Sequence, residues 1–157
     1  MAVGAVTGRH EEVVYYQVGD AYELMDVFTE NTEKPGAETS EKKYTVNKVT
    51  TKNVSSYSWE MDFEGDVVEE NKVMADIAEI AREQKTGGDC QRDICIVHLR
   101  KKETDGAYYA RKLTVSVVVD EFSDNDGEMQ ASGTFSAVSD VVVGTFNTET
   151  KTFTPKA

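Results

Sequence analysis

The feature that most constrains the fold is an alternation of apolar and polar residues in the last third of the chain. Leu113, Val115 and Val117 fall on one face of a period-two repeat, and Ser116 falls on the other. Such a repeat is typical of a β-strand with one buried face. Val118 interrupts it, which predicts that this end of the strand is covered on both faces. Glycines and acidic turns divide the rest of this third into about three or four strands.

The clearest alternation of this kind lies between residues 57 and 64. One face is aromatic and apolar, and the other carries three carboxylates in a row. The carboxylates could bind a metal ion, act as a general acid and base, or form the solvated face of a sheet. We favour the solvated face, because no histidine or second acidic cluster is placed beside them. The apolar face consists of Tyr57, Trp59, Met61 and Phe63, and the acidic face of Glu60, Asp62 and Glu64.

A single amphipathic helix is predicted over about residues 69–85. Apolar residues recur there at the i, i+4, i+7 spacing of one helix face, acidic residues crowd the first turn, and Gly87-Gly88 follows as a stop signal. The segment Asp93–Arg100 has apolar residues on both faces, which predicts a central strand. The predicted fold class is therefore mainly β with one helix, an antiparallel β-sandwich flanked by an α-helix at about residues 69–85.

Two segments lack the large apolar residues that a core needs. Residues 1–11 are small and polar and predict a flexible N-terminal arm. Residues 30–43 combine a Pro-Gly dipeptide with alternating charge and predict a long polar loop. Unstructured loops of more than about 12 residues are usually functional or disordered. This one is either a solvated surface loop or a segment that orders against another subunit. The whole chain, residues 1–157, is predicted to be one domain.

The charge balance excludes one broad class of function. The chain has 29 acidic and 17 basic residues and a formal net charge of -12. Nonspecific nucleic-acid binding needs clustered cations, so this chain is not expected to bind DNA tightly. An acidic surface along which DNA passes without binding is still allowed. No membrane association is expected, because no apolar run approaches the roughly 18 residues of a membrane span.

The cysteines and histidines do not form a reactive set. Cys90 and Cys95 are expected to be free thiols, because no secretory signal precedes them and disulfides need an oxidising compartment. Their spacing relative to His10 and His98 does not fit a zinc site or a nucleophile with its base. No cofactor and no enzymatic activity are expected. An enzyme that uses the carboxylates near Trp59 is kept as an alternative to be tested.

The acidic segment FSDNDGEMQ also invites a calcium interpretation. An EF-hand loop with Gly127 at its sixth position needs an acidic residue where Phe122 stands and a glutamate where Gly133 stands. Both positions fail. The segment therefore predicts an acidic turn between antiparallel strands.

The run VSVVVDEFSDNDGEMQASGTFSAVSDVVVGTFNTETKTFTP resembles the ending of major tail tube proteins from tailed bacteriophages of Gram-positive hosts. In that family a strand, an acidic turn, a strand with a central glycine such as Gly133, and a closing GTFN with a Lys-Thr-Phe-Thr tail follow in this order. The resemblance covers roughly residues 106–154. It implies a β-sandwich with a flanking helix whose subunits join into hexameric rings. The inner sheets of a ring form a continuous β-barrel, and the rings stack into a tube through which viral DNA leaves the capsid.

The resemblance also implies partners and a location. The chain would bind copies of itself, with tape-measure and tail terminator proteins as further partners, and DNA would pass through without specific binding. The protein would be made in the host bacterial cytoplasm and would reside in the virion tail. The alternative is a monomeric β-sandwich that acts as a binding or decoration module of a virion.

Two groups of residues are candidates for these contacts. The N-terminal arm and the polar loop at 30–43 are expected to reach neighbouring subunits and rings. An acidic row could line the lumen of the tube, although it could equally lie on the outer surface. The loop candidates are Glu33, Lys34, Pro35, Glu38, Glu41 and Lys42, and the lumen candidates are Glu60, Asp62 and Glu64.

Overall fold

The computed structural model describes residues 4–104 and 106–156. Most of these residues form β-strands, with one α-helix and two short 3-10 turns, Arg9–Glu11 and Gly87–Cys90. The helix α1 spans Lys72–Arg82. The strands are β1 (Glu12–Val18), β2 (Ala21–Leu24), β3 (Phe28–Lys34), β4 (Ala37–Lys42), β5 (Thr51–Tyr57), β6 (Glu60–Asp66), β7 (Gln91–Thr104), β8 (Ala107–Asn125), β9 (Glu128–Ala137), β10 (Val142–Asn147) and β11 (Thr152–Pro155).

The strands form one large antiparallel sheet and one small one. The large sheet has the order β2-β1-β7-β8-β9-β6-β3, and the β10–β11 hairpin is attached to it through β8. This sheet is curled into a half-barrel. The small sheet contains only β4 and β5. The predicted fold class, mainly β with one helix and sandwich-like, is confirmed, and β7 is the central strand that its two apolar faces predicted.

Strand β8 pairs with two different strands along one of its edges. Its first residues pair with β10, in the register Tyr108↔Phe146, whereas its later residues pair with β9, in the register Val117↔Phe135. β7 runs along its other edge. The chain therefore folds β9, β6 and β3 over one face of the β1–β7–β8 region and the β10–β11 hairpin over the opposite face. Each fold encloses its own apolar cluster.

The larger apolar cluster fills the inside of the half-barrel. Helix α1 covers it from one side and contributes Val73, Ile77 and Ile80. Within it, Phe63 of β6 stacks on Phe135 of β9 with ring centroids 4.6 Å apart. The strands and the residues that directly flank them contribute the remaining buried members, which are Val14, Tyr16, Met25, Trp59, Met61, Ile94, Ile96, Leu113, Val115 and Val117.

The smaller apolar cluster lies under the β10–β11 hairpin. Phe146 of β10 is fully buried there, and its ring lies 4.5 Å from the ring of Tyr15 and 5.7 Å from that of Tyr22. Cys95 is buried in the same cluster, and burial raises the pKa of its thiol to about 12. The thiol is therefore protonated and shielded from reagents. Cys90 and Cys95 are both free thiols, as predicted.

Gly133 allows β9 to pass very close to β8. A Cβ atom at this position would lie 2.0 Å from the carbonyl oxygen of Val118 and 2.9 Å from the Cα of Val119. The register between β8 and β9 shifts between Val119 and Glu121, next to this contact. The glycine that stood out in the sequence is therefore required by backbone packing in the middle of the sheet.

The helix is shorter than predicted. It spans Lys72–Arg82 instead of about 69–85, because Asn71 caps it and accepts a hydrogen bond from the Met74 amide at 3.0 Å. The acidic residues at 69 and 70 thus precede the helix and do not form its first turn. At the other end, Gln84 adopts a left-handed φ of 52° and ends the helix before Gly87-Gly88. In the described parts of the chain no helix is long and apolar enough to span a membrane.

The prediction of a long unstructured loop at 30–43 was wrong. Residues 30–34 belong to β3, which pairs with β6 in the large sheet, and residues 37–42 form β4. Residues 30–34 and 37–42 lack large apolar side chains that could pack in the core, and backbone pairing with the neighbouring strand makes them β-strands. Of the N-terminal arm, residues 1–3 lie outside the described residues, and residues 9–11 form a 3-10 turn.

Candidate assembly surface

A two-stranded ribbon, β4–β5, extends beyond the body of the protein. Every residue from Lys34 to Ser58 is exposed, so the ribbon buries no side chain against the large sheet. An isolated two-stranded hairpin is marginally stable at best in water. This ribbon is nevertheless built in register, from Ala37↔Tyr57 to Lys42↔Thr51. Its side chains therefore add nothing to the buried core of the large sheet.

The base of the ribbon has a specific geometry. Gly36 adopts a left-handed φ of 65°, and a Cβ there would lie 2.2 Å from the carbonyl oxygen of Ser58. The Ser58 amide donates to the Gly36 carbonyl at 2.8 Å. The Ser58 and Ser56 hydroxyls donate to the Glu38 carboxylate at 2.7 and 3.1 Å, and they lower the pKa of Glu38. These contacts fix the direction in which the ribbon leaves the β3–β6 hairpin.

The ribbon and its base present apolar side chains to solvent. Exposed fractions reach 89% for Val46 and 75% for Val49 in the connection between β4 and β5, and 65% for Tyr57 at the base. Beside the base lies an open groove of about 1080 Å³, lined by Tyr57, Val138 and Val141 among others. The ribbon therefore exposes large apolar side chains both at its base and at its far end, and such side chains are candidates for burial in a protein contact.

The outer face of β3, β6 and β9 is polar and largely acidic. The predicted alternation is confirmed along β6, because Met61 and Phe63 are buried while Glu60, Asp62 and Glu64 point to the other face. It was wrong for Tyr57, which is 65% exposed because it ends β5 on the ribbon instead of facing the core. Hydroxyl groups of β9 lie beside this row, and Thr134 donates to Asp62 at 3.1 Å. The Lys34 ammonium approaches Asp62 to 2.5 Å and lowers the pKa of that carboxyl.

The same face explains why Val118 was predicted wrongly. Val118 lies opposite Thr134 in the β8–β9 register, on the polar face, and is 43% exposed. No layer of the described chain covers this face. The interruption of the apolar alternation at Val118 therefore marks an exposed apolar side chain and not a doubly covered strand.

A network of charged groups closes the open end of the half-barrel. Arg111 of β8 donates two hydrogen bonds to the Glu33 carboxylate of β3, at 2.6 and 2.9 Å. The Trp59 indole N–H donates to the same carboxylate at 2.7 Å. Arg111 also donates to Glu12 and to His98, both at 3.2 Å. We refer to Arg111, Glu33, Trp59, Glu12 and His98 as the Arg111 cluster.

The Arg111 cluster joins strands that are not neighbours. β3 and β8 are separated by β6 and β9 in the sheet, so the ion pair fastens one end of the curled sheet to its middle. The Arg111 and Glu33 side chains are each only 19% exposed. Burial would raise the pKa of Glu33, but the hydrogen bonds from Arg111 and Trp59 outweigh it and hold that pKa below its usual value.

His98 is held in its neutral form within this cluster. Its Nε2 accepts a hydrogen bond from Arg111 Nε, so the proton is assigned to Nδ1, which faces Glu12 at 3.7 Å. Burial is the main reason that the pKa of His98 is lowered, and the nearby Arg111 and Lys101 charges act in the same direction. The Glu12 carboxylate opposes the shift without overcoming it.

We expect the stability of the protein to fall as the pH drops from 7 through the lowered pKa of His98. The unfolded chain has the higher histidine pKa and binds the proton first, so acid favours unfolding. Urea unfolding between pH 8 and pH 5, compared with a His98→Gln variant, tests this. The free energy of unfolding of the His98→Gln variant should vary much less with pH in that window. His10→Gln is the matched control and should show the same pH dependence as the native protein. An unchanged pH profile for His98→Gln would contradict the assignment.

The predicted loop candidates occupy different environments. Glu33 is in the Arg111 cluster and is not available for a neighbour, whereas Lys34 pairs with Asp62 and Pro35 lines the groove. Glu38 stabilises the ribbon base. Glu41 lies 3.3 Å from Lys52 across the ribbon, and the Lys42 ammonium lies 5.2 Å from the centroid of the Tyr44 ring. Of the six candidates, four lie on the ribbon or at its base, namely Pro35, Glu38, Glu41 and Lys42.

Sequence reasoning missed two parts of this surface. One is β4, whose six residues are all exposed and therefore show no buried face. The other is the Arg111 cluster, whose central ion pair joins residues 78 positions apart, so no local pattern could have revealed it.

The acidic segment near Asp124 is a tight turn. The Gly127 amide donates to the Asp124 carboxylate at 2.7 Å, and Asp126 and Gly127 both have positive φ, as a two-residue hairpin turn requires. Within residues 4–104 and 106–156, no three His, Cys, Asp or Glu side chains converge to hold a metal ion.

Comparisons with known proteins relate the fold to sixfold tail structures. No protein-family model matches the sequence, and no curated protein matches it. A chain in the tail of an empty gene transfer agent (GTA) particle, refined with C6 symmetry, is similar over 87% of this chain and 97% of that chain, with a TM-score of 0.60 and 8% identity. A chain of the anti-feeding prophage (AFP) baseplate, 6-fold symmetrised, is similar over 91% of this chain and 97% of that chain, with a TM-score of 0.53 and 10% identity. At these identities the likeness establishes the fold.

Proposed function

We propose that this protein is a structural component of a phage tail or a related particle, and that its copies assemble into hexameric rings that stack into a tube. The observation that carries the proposal is the β4–β5 ribbon, which is built in register, wholly exposed and unused by the single chain. Its fold is shared with chains of two sixfold assemblies. The resemblance of residues 106–154 to tail tube proteins points to the same role.

The sheet offers a means of joining copies side by side. In the described residues, β2 and β3 are the ends of the large sheet, and each has a strand on one side only. Unpaired edges of this kind are templates for a strand from another chain. A ring in which neighbouring sheets continue one another would leave neither of these two edges open. The ribbon would then reach a neighbouring ring, where its exposed valines and Tyr57 could be buried.

The acidic outer face of β3, β6 and β9 suits the lumen of such a tube. Glu60, Asp62 and Glu64 lie in one row, and the adjacent β9 positions carry hydroxyl groups. A negative surface repels phosphate, so DNA would pass along it without specific binding. We assign the lumen role to this face, and tape-measure and terminator proteins would be the further partners of the tube.

Negative-stain electron microscopy of the purified, concentrated protein tests the proposal directly. We expect rings, or tubes with a sixfold cross-section, whose amount rises with protein concentration. Particles that stay monomeric at every concentration and salt condition would contradict it. Sedimentation velocity on the same samples gives an independent measure of assembly.

The alternative is a monomeric binding or decoration module. The observation in its favour is the open groove of about 1080 Å³ beside the ribbon base, which is large enough for a ligand or a peptide. This alternative predicts a stable monomer that binds a ligand in the groove. Loss of ligand binding in a Tyr57→Ala variant, with no assembly in the native protein, would favour it.

A further inference from the structure

The ribbon carries an excess of positive charge in a strongly acidic protein. Between Lys42 and Lys52 there are four lysines and no acidic residue, whereas the chain as a whole has a net charge of -12. All of these lysines are exposed. They are Lys42, Lys43, Lys48 and Lys52. We refer to this region as the basic tip.

The turn that connects β8 and β9 has the opposite charge. From Leu113 to Thr150 the chain has no lysine or arginine, and five carboxylates are concentrated between Asp120 and Glu128. All five are exposed. They belong to Asp120, Glu121, Asp124, Asp126 and Glu128. We refer to this region as the acidic hairpin.

The basic tip and the acidic hairpin lie beyond opposite ends of β6. The start of β6 pairs with the end of β3, in the register Lys34↔Glu60, and the ribbon continues from there. The end of β6 pairs with β9 in the register Asp66↔Gln130, and Gln130 is only two residues after Glu128, the last carboxylate of the acidic hairpin. The seven residues of β6 alone separate the two regions by about 20 Å. The molecule therefore has a basic end and an acidic end along the strand direction.

Among the described residues, opposite charges of the same chain do not neutralise the basic tip fully or the acidic hairpin through ion pairs. At the basic tip, the described residues provide one ion pair, Lys52 with Glu41, and both of its side chains are more than half exposed. In the same described parts of the chain, no carboxylate of the acidic hairpin lies within ion-pair distance of a cation. Each end therefore concentrates like charges that repel one another, and a contact with the opposite end would relieve both.

We propose that the basic tip of one copy docks on the acidic hairpin of a second copy, so that subunits join head to tail. This inference rests on the proposed tube assembly and names the charges that stack one ring on the next. A contact between two different surfaces does not close on itself and so extends into a stack. Single exposed ion pairs contribute little, but copies arranged in rings would make the contact several times at once.

A second copy fits the basic tip better than a nucleic acid does. Four lysines could contact phosphates, but the strongly negative remainder of the protein would repel a polyanion that extends beyond the ribbon. The acidic hairpin belongs to the same chain and is available in equal number. Binding of a nucleic acid is kept as an outcome of the test.

Charge reversal at each end tests the proposal on the full chain. We expect K43E/K48E and E121K/E128K each to raise the protein concentration needed for tube formation by about tenfold, because attraction is replaced by repulsion. The variant that combines all four substitutions should regain most of the assembly. An equimolar mixture of the two double variants should form mixed contacts that neither forms alone. Salt at about 0.5 M should weaken the native tubes relative to about 0.05 M.

The controls separate this inference from the proposed function. K102E/K156E makes the same charge change at exposed lysines outside the ribbon and should assemble like the native protein. If the native protein forms no rings or tubes, the proposed function is overturned and the inference with it. If it assembles and K43E/K48E assembles equally well, the inference alone is overturned. Native tubes unaffected by K43E/K48E, with loss of single-stranded DNA binding, would assign the basic tip to nucleic acid instead.

Discussion

Replacing residues 36–58 by an Asn-Gly turn should abolish tube formation and leave a folded, soluble monomer. The ribbon buries nothing against the body, so its removal exposes no core. Lys34 and Glu60 are already paired, and Pro35, Asn, Gly and Trp59 would form a four-residue hairpin connection between them. A shorter loop also costs less closure entropy, so the free energy of unfolding should change by less than about 1 kcal/mol. Electron microscopy and urea unfolding of the same preparation measure the two effects.

Two outcomes for the ribbon variant would contradict this prediction. Tubes of normal appearance would show that side-by-side pairing of the large sheet is enough for assembly and that the ribbon has another role. A variant that does not fold would show that the ribbon supports the β3–β6 hairpin. Thr50→Ala, in the exposed connection between β4 and β5, is the matched control, because it changes the ribbon surface and leaves its backbone intact. It should both fold and assemble.

Arg111→Ala should cost about 2–4 kcal/mol of folding free energy. Breaking a buried ion pair leaves the partner charge uncompensated, which typically costs about 3–5 kcal/mol. We lower the range because the Arg111 and Glu33 side chains are each 19% exposed. Trp59 is the only tryptophan of the chain and donates to Glu33, so its fluorescence during urea unfolding reports directly on the cluster.

Two further variants identify the origin of that cost. Arg111→Lys keeps the charge but cannot make the two-pronged contact with Glu33, so we expect an intermediate loss. Glu33→Gln combined with Arg111→Ala should cost less than the sum of the single changes, because each removes the same interaction. Lys34→Ala removes an exposed ion pair and should not change stability measurably. A fully stable Arg111→Ala protein would mean that the cluster does not fasten the half-barrel.

The elements with clear periodicity could be predicted from the sequence. Along β6 the alternation of Met61 and Phe63 with carboxylates assigned both faces correctly, because a strand places successive side chains on opposite sides. The apolar stripe of α1 was equally informative, although its ends were not. The capping hydrogen bond of Asn71, and not the position of the acidic residues, decides where the helix begins.

The polar elements could not be predicted from apolar patterns. β4 and β5 have no buried side chain, so neither shows the alternation of buried and exposed positions that marks a half-buried strand. Their stability comes from backbone pairing and from contacts such as those of Glu38 with Ser56 and Ser58. Val118 illustrates the opposite error. It is apolar and was predicted to be covered, but it is exposed, because an apolar side chain in the sequence does not show whether another layer packs on it.

The same distinction applies to the candidate site: its local features could be predicted, and its long-range contacts could not. The acidic row of β6 was found because it alternates with the core. The contact between Glu33 and Arg111 was not, because it depends on how the sheet curls and brings strands together that are distant in sequence. The opposite charges of the basic tip and the acidic hairpin were visible in the sequence, but only the strand register places them at opposite ends of the molecule.

The shared strand β8 has a consequence for how the protein is made. Both apolar clusters require β8, which begins only at Ala107. While it is still on the ribosome, a nascent chain that has not yet extended past residue 125 can complete neither cluster. Long-range strand pairing of this kind also slows folding. The N-terminal strands should therefore lack a completed core until β8 and the strands after it have been made, a period in which chaperones would have access to them.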